Sequence, residues 1–339
     1  MKRFSALFFC FILLFNIAVL AEEPKVNAIS AVIVDGDTGR ILWGKNENKP
    51  MAMASTTKIM TALVALENSD IKKETTVSKN ATLASPVKMH LSVGEKMTIE
   101  QLLYAMMLQS YNDSAVAVAE AVGGSVEKFC TMMNEKAKEI GCSDTVFETP
   151  NGLDKGNHHS TAEDMSKIGV YALKNQNLMK IMNTRDYTFK SSKTTYSFVN
   201  KDRLLSEYEG AIGMKTGFTG KAGYCFVGAV KSNGRHFVSC VLACGWPPNK
   251  SYKWKDTTTL MNYGKREYNR KKIIASGTKF QIEIPNGTKK KINVGVSEGY
   301  TTLISEDDNV KSETNFNYKL PIKKWDVVGN IIITINGKK

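Results

Sequence analysis

Apolar residues recur at helical spacing through the middle of this chain and at alternate positions near its end, and the change of period divides it. Ala28 to Trp43 sets apolar segments on either side of Asp35-Gly36-Asp37-Thr38-Gly39, which predicts a β-hairpin. Ile59, Met60, Leu63, Val64 and Leu66 predict a helix from Ser55 to about Glu67. Thr98-Ile99-Glu100-Gln101 has the form of a capping box, opening a helix through Leu102, Leu103, Met106 and Met107 that stops near Ser110. Helical character resumes from Ala115 to Val122 and ends at Gly123-Gly124. Ser125 then caps a further helix that closes at Gly141, so this part reads as a helical region. Phe147 to Asp154, with Pro150 and Gly152, reads as a loop, and Thr161 with Asp164 starts another helix. Tyr224 to Val230 and His236 to Ala243 flank Ser232-Asn233-Gly234-Arg235, and Asn-Gly between such runs predicts a second hairpin. Lys215 is expected to begin the strand that leads into it. An amphipathic segment from Tyr252 to about Tyr268 predicts a closing helix, and Arg270-Lys271-Lys272 marks a boundary. Beyond it Ile282 and Ile284, Ile292 and Val294, and Ile331 and Ile333 alternate, separated by Asn286-Gly287, Glu298-Gly299 and Asp307-Asp308-Asn309, as short strands of a small all-β domain would.

The N-terminus stands apart. Lys2 and Arg3 precede a nearly unbroken apolar run from Phe4 to Leu20, then Ala21, Glu22 and Glu23. That layout predicts a signal peptide over residues 1–21 and an exported protein; the run is short for a bilayer core of about 30 Å. What remains is longer than one core usually organises, so two domains are expected, residues 22–269 and 270–339.

The formal charge is +13, and the stretch from Lys250 to Lys339 holds 18 Lys or Arg against 9 Asp or Glu. In an exported protein such an excess would suit an anionic wall polymer or a membrane surface rather than nucleic acid, or be no more than a solvated basic face. Cys10 falls in the leader. Cys130, Cys142, Cys225, Cys240 and Cys244 are odd in number with no C-x-x-C pair, which predicts core thiols rather than a disulfide framework or zinc site. His90, His158, His159 and His236 show no metal-binding spacing, so neither metal nor cofactor is called for.

Three short motifs carry the candidate chemistry. Ser-x-x-Lys occurs at Ser55, Ser69, Ser85, Ser125 and Ser276, but only Ser55 opens a strongly apolar helix, with Lys58 one turn behind on the same face. Ser-x-Asn occurs at Ser78 and Ser110, and only Ser110 lies in a break between two helices, where a tight turn can project side chains into a cleft. Lys215-Thr216-Gly217 occurs once.

In this order the motifs resemble those of low-molecular-weight penicillin-binding proteins of the D-alanyl-D-alanine carboxypeptidase family, peptidase family S11. The resemblance runs through Ala54-Ser55-Thr56-Thr57-Lys58, Ser110-Tyr111-Asn112-Asp113 and Lys215-Thr216-Gly217-Phe218-Thr219, with support from Phe147 to Asp154, His159-Ser160-Thr161-Ala162 and Lys221-Ala222-Gly223-Tyr224. It implies an α+β fold: a transpeptidase/β-lactamase-like domain with a five-stranded antiparallel sheet flanked by helices and a helical region, followed by a small all-β domain. Ser55 would attack the penultimate D-alanine carbonyl of a peptidoglycan pentapeptide, and β-lactams would acylate it. A serine hydroxyl must lose its proton to attack, and Lys58 is the candidate base. It must then be neutral, which burial and the like charge of Lys215 would favour. The family further implies that Ser110 relays a proton to the leaving amine, and that Asn112 steadies Lys58 and holds the substrate amide. Lys215 and Thr216 would receive the terminal carboxylate with help from Thr219, and the N–H groups of Ser55 and Phe218 would form the oxyanion hole. Relatives commonly end in an amphipathic membrane-binding helix, whereas this sequence ends at Gly337-Lys338-Lys339 after an apolar strand. Two rival readings remain: a serine β-lactamase, for which the loop at Glu148 and Asp154 lacks the Glu-x-x-Leu-Asn arrangement, and a non-catalytic wall-binding homologue.

Overall fold

The computed structural model describes residues 22–338; the expected leader lies outside them. The chain opens with the hairpin of β1 (Ser30–Asp35) and β2 (Ile41–Lys45), and a 3₁₀ turn at Ala54–Thr57 leads into α1 (Lys58–Asn68). β3 (Glu74–Thr76), α2 (Lys79–Thr82) and β4 (Lys96–Thr98) follow, then α3 (Ile99–Gln109), α4 (Asn112–Gly123) and α5 (Val126–Ile140). The capping box of α3 forms as its sequence predicts, Thr98 Oγ1 accepting the Gln101 N–H while the Gln101 side chain accepts the Thr98 N–H. Gly141 ends α5 in the left-handed conformation. After the 147–154 loop come α6 (Ala162–Leu173), α7 (Gln176–Asn183), the hairpin of β5 (Asp186–Lys190) and β6 (Thr195–Val199), and α8 (Leu204–Glu207). β7 (Ala211–Thr219), β8 (Gly223–Ser232), β9 (Arg235–Leu242) and α9 (Tyr252–Glu267) complete the part before the boundary. Lys215 lies in the middle of β7 rather than at its start, because the strand already begins at Ala211 beside the end of β8.

β2-β1-β9-β8-β7 form one antiparallel five-stranded sheet with β7 on its edge. Successive side chains of a strand point to opposite faces, and here each face has its own apolar core. Val32, Val34, Val227, Val238 and Cys240 join the core built on α1, α3, α4 and α6, whereas Ile33, Phe226, Phe237 and Val241 join the one closed by α9. Two glycines let helices approach β9 closely from the two sides. A Cβ at Gly169 of α6 would lie 2.8 Å from Val238, and one at Gly264 of α9 would lie 2.8 Å from Ile33 and 2.9 Å from the Phe237 ring. The five cysteines among the described residues are free, and burial pushes the thiols up, to about 11 for Cys130 and about 12 for Cys225, as suits small packing residues.

After α9 the chain becomes all-β: β10 (Asn269–Ile274) pairs with β13 (Tyr300–Ile304), β11 (Lys279–Glu283) with β12 (Lys291–Gly295), and β14 (Val310–Phe316) with β15 (Gly329–Ile335). The Asp- and Gly-rich turn between β1 and β2 holds this part in place. Asp35 Oδ2 accepts from Thr302 Oγ1 at 2.8 Å and from the Leu303 N–H at 3.0 Å. Arg40 pairs with Asp308 at 2.6 Å and also donates to the Leu303 carbonyl.

Gly264→Val would wedge α9 off the sheet. A loss of about 1–3 kcal/mol is expected from overpacking, read from the urea midpoint of the transition that reports Trp254, the indole buried on that side.

Candidate active site

Ser55 and Lys58 are brought together by the 3₁₀ turn, in which residues three apart eclipse one another. Lys58 Nζ lies 2.8 Å from Ser55 Oγ, 2.7 Å from Asn112 Oδ1 and 2.6 Å from the Asn151 carbonyl. Lys58 is fully buried and its three partners are neutral oxygens. Burial first, then the like charge of Lys215, hold its ammonium well below the usual lysine range, against a smaller opposing pull from Asp113. A neutral amine has two N–H bonds and one lone pair. The two carbonyl oxygens can take both N–H bonds, and the lone pair then faces the Ser55 hydroxyl, the arrangement a general base needs.

The Asn151 carbonyl has no counterpart in the motif reading, since a backbone oxygen leaves no trace in side-chain patterns. It arrives on the 147–154 loop, which is stitched to α1: Thr61 donates to the Pro150 carbonyl at 2.6 Å, and Thr57 meets His158 Nε2 at 3.0 Å. His158 Nδ1 accepts the Glu148 N–H, and burial pushes this imidazole down to about 4, so it serves as a neutral structural side chain. Gly152 has φ +85°, and a Cβ there would lie 1.9 Å from the Ala54 carbonyl oxygen. Glu148 is turned back on its own loop, accepting the Asn157 N–H at 2.8 Å.

Ser110 caps α3 in the left-handed conformation (φ 68°), and that sharp reversal delivers Asn112 to the first turn of α4. Asn112 Nδ2 donates to the carbonyls of Ser85 and Pro86, each at 3.0 Å, so both amide hydrogens are committed. Only the second lone pair of Oδ1 is left for a substrate N–H. Buried Asp113 accepts the N–H groups of Met89, Leu91 and Ser114, which fixes residues 85–91 over this turn.

The edge strand supplies the other side. A Cβ at Gly217 would sit 3.0 Å from both Ser55 N and Ala54 Cβ, so β7 can pass against the Ser55 amide only because position 217 lacks a side chain. Ala54 itself is left-handed (φ 48°), a strain of about 1–2 kcal/mol for a residue with a Cβ, next to the nucleophile. Tyr224, which faces Phe218 across the ladder, directs its N–H to Gly245 and its carbonyl to Cys244. Phe218 therefore belongs to a non-hydrogen-bonded pair, and its N–H points off the sheet edge. Its ring is 44% exposed and packs on Tyr224. Thr216 is half-buried, while the Thr219 hydroxyl accepts the Ala222 N–H at 3.0 Å and closes the β7–β8 turn.

Lys215 is buried, its Nζ donating to the Thr216 carbonyl at 3.1 Å. Burial pushes it down to about 7, helped by the charges of Lys201 and Lys253 and opposed by Asp202. Asp202 is buried with Oδ2 unpaired, and burial pushes its carboxyl up to about 7. Lys201, Asp202 and Lys253 escaped the motif reading because they lie on other elements. Their charges nonetheless act on Lys215, Lys201 and Lys253 lowering its proton affinity and Asp202 raising it. A surface groove lined by Leu173, Met179 and Ile212 is built from none of these residues.

A five-stranded antiparallel sheet with a helical region, carrying a serine against a buried amine and followed by a small all-β domain, defines a transpeptidase-like serine acyl-transfer protein. Residues 17–245 match D-alanyl-D-alanine carboxypeptidase, Peptidase_S11, and residues 268–339 match the penicillin-binding protein 5 C-terminal domain. The chain belongs to the S11 D-alanyl-D-alanine carboxypeptidase family. It is 33% identical over 331 residues to D-alanyl-D-alanine carboxypeptidase DacF of Bacillus subtilis, covering 94% of this chain and 83% of that one. Among solved structures it resembles the D-alanyl-D-alanine carboxypeptidase DacD of Francisella tularensis (26% identity, TM-score 0.75, covering 93% of this chain and 91% of that one). It also resembles the Streptomyces K15 DD-transpeptidase (33% identity, TM-score 0.67, covering 71% and 98%).

Gly152→Ala should push the Asn151 carbonyl off Lys58 and slow acylation by a penicillin at least about 100-fold with the circular dichroism unchanged; parental acylation would remove that carbonyl from the account. If Lys58 is the neutral base, acylation should rise with pH through its lowered pKa. If Lys215 holds a donor carboxylate in its charged form, kcat/KM for a carboxylate-bearing donor should fall as pH rises through about 7. Lys215→Arg, which stays charged, should carry that alkaline limb to higher pH.

Proposed function

We propose that the protein removes the terminal D-alanine from peptidoglycan stem pentapeptides through an acyl-enzyme on Ser55. As Ser55 Oγ bonds to the penultimate carbonyl carbon, its proton passes to the Lys58 amine. The oxyanion forms against the N–H groups of Ser55 and Phe218. The C–N bond then breaks, and the leaving amine takes a proton delivered by Lys58 through Ser110, freeing D-alanine. Water attacks the ester in the second half-reaction. Lys215 and Thr216 hold the substrate carboxylate within the field of Lys201 and Lys253, which accounts for exopeptidase action. Asn112 steadies Lys58 through Oδ1, and Thr219 acts indirectly by shaping the turn after Phe218. A β-lactam opens its ring on the same serine, but its amine stays tethered, so the ester persists.

The observation that carries this reading is the Lys58 amine held between two carbonyl oxygens with Ser55 Oγ 2.8 Å away. Engagement of Glu148 with its own loop speaks against a lactamase base there. The intact Ser55, Lys58, Ser110, Asn112 and Lys215 speak against a non-catalytic homologue. We further infer that residues 1–21 direct export and are removed, and that residues 22–269 form the catalytic domain. The basic domain of residues 270–339 would meet an anionic wall polymer or the outer face of the membrane.

The test is release of D-alanine from an acyl-Lys-D-Ala-D-Ala peptide, with peptide mapping after penicillin treatment. The parent should release D-alanine and carry a long-lived penicilloyl group on Ser55, and Ser55→Ala should lose both. Fast turnover of penicillin, or D-alanine release that survives in Ser55→Ala, contradicts the proposal.

A further inference from the structure

The segment between β14 and β15, residues 317–328, turns Leu320, Trp325 and Val327 to solvent. Trp325 is 88% exposed and Val327 86%, with Leu320 close to half-exposed, as is Phe316 at the end of β14. Backbone and side-chain bonds hold this exposure in place. The Asn317 N–H donates to the Val328 carbonyl at 2.9 Å and closes the neck. The Lys323 N–H donates to Asp326 Oδ2 at 2.7 Å and the Asp326 N–H to the Lys323 carbonyl at 3.2 Å, closing a tight turn with Lys324 and Trp325 at its tip. Trp325 adopts the left-handed conformation (φ 76°), rare for a bulky residue, and Lys324 Nζ lies 4.9 Å from its ring centroid.

The surroundings of the tip are basic. Lys319, Lys323 and Lys324 belong to the loop itself. Tyr318 donates to the Glu283 carbonyl at 3.1 Å, which joins the loop to the β11–β12 hairpin, where Glu283 pairs with Lys291 and the turn carries Lys289 and Lys290. Against these six lysines the two segments hold only Glu283 and Asp326, and the Asp326 carboxylate is engaged in the turn.

We propose that this loop seats the second domain on an anionic lipid bilayer, with Trp325 and Val327 entering the headgroup boundary and the lysines facing lipid phosphates. The proposal rests on the reading that the basic domain takes an anionic partner, and names that partner. Charge complementarity fits any polyanion, but a dissolved polymer would engage the lysines and give no reason to hold an indole and a valine in water at a turn tip. A bilayer interface takes both: indoles favour the headgroup level, and stable attachment needs a basic patch added to a weak apolar anchor. Among the described residues no helix is long and apolar enough to cross a membrane.

Both apolar cores and every strand and helix described above lie within residues 22–338, so the chain from Glu22 carries the described fold and avoids the apolar leader. Its sedimentation with phosphatidylcholine vesicles, with and without phosphatidylglycerol, should show binding that depends on the anionic lipid and weakens in high salt. Trp325→Ala with Val327→Ala should weaken binding at least about tenfold. Lys323→Gln with Lys324→Gln should do so by roughly tenfold on the anionic vesicles. Brominated lipid should quench the parent's tryptophan emission, and Trp325→Phe should lose that quenching. Parental binding by the Trp325/Val327 variant, or undiminished quenching in Trp325→Phe, overturns the proposal. So does a parent that ignores vesicles but binds isolated anionic wall polymer. D-alanine release in solution should be parental in every variant, which reports folding. If the parent binds vesicles but releases no D-alanine, the peptidase reading fails while this one stands.

Discussion

An amine cannot stay charged inside a protein without a counter-charge, and Lys58 is enclosed with only neutral oxygens on its nitrogen. That constraint organises the surrounding structure. Each oxygen comes from a different stretch of chain, and each stretch is fixed by its own bonds: the 3₁₀ turn by α1, the Ser110–Asn112 reversal by Asp113 and residues 85–91, the 147–154 loop by Thr57 and Thr61. A base made by desolvation works only while its cage excludes water. With Lys58 as the proposed base, the bonds that hold these loops are therefore part of the chemistry.

Lys215 is displaced in the same direction and, in the proposed reaction, serves an opposite purpose. It must keep its proton to hold an anion, and it stands among Lys201 and Lys253 with Asp202 as the nearby counter-charge. Lys215 also lowers Lys58. A substrate carboxylate arriving at Lys215 would raise its proton affinity and so strengthen its grip on that carboxylate, while partly cancelling the charge that Lys58 feels. The two lysines are thus coupled through the ligand, and substrate binding and base strength cannot be tuned separately.

The sheet decides where these charges meet. β7 is an edge strand, so the Phe218 N–H points off the sheet, and Gly217 lets β7 approach the Ser55 amide closely. At the far side of the sheet the β1–β2 turn uses Asp35 and Arg40 to dock the all-β domain. One sheet therefore carries the nucleophile's partner at one edge and the second domain at the other.

Much of this was legible in the order of residues. Helical and alternating periods marked most elements from the first hairpin to α9, and the capping box at Thr98 and the Asn233-Gly234 turn formed as local chemistry requires. The β5–β6 hairpin had a signal too, the alternation of Tyr187, Phe189, Tyr196 and Phe198, but without a strong turn pair it did not stand out. The three motifs named Ser55, Lys58, Ser110, Asn112 and Lys215 because side-chain chemistry at short spacing is local information. The sequence could not show that Asn151 offers its backbone carbonyl to Lys58, that both amide hydrogens of Asn112 are spent on Ser85 and Pro86, or that Asp202 stands beside Lys215. Those facts depend on which segments meet across many residues of chain, and on how much water is excluded when they do, and both are fixed only when the two faces of the sheet are packed.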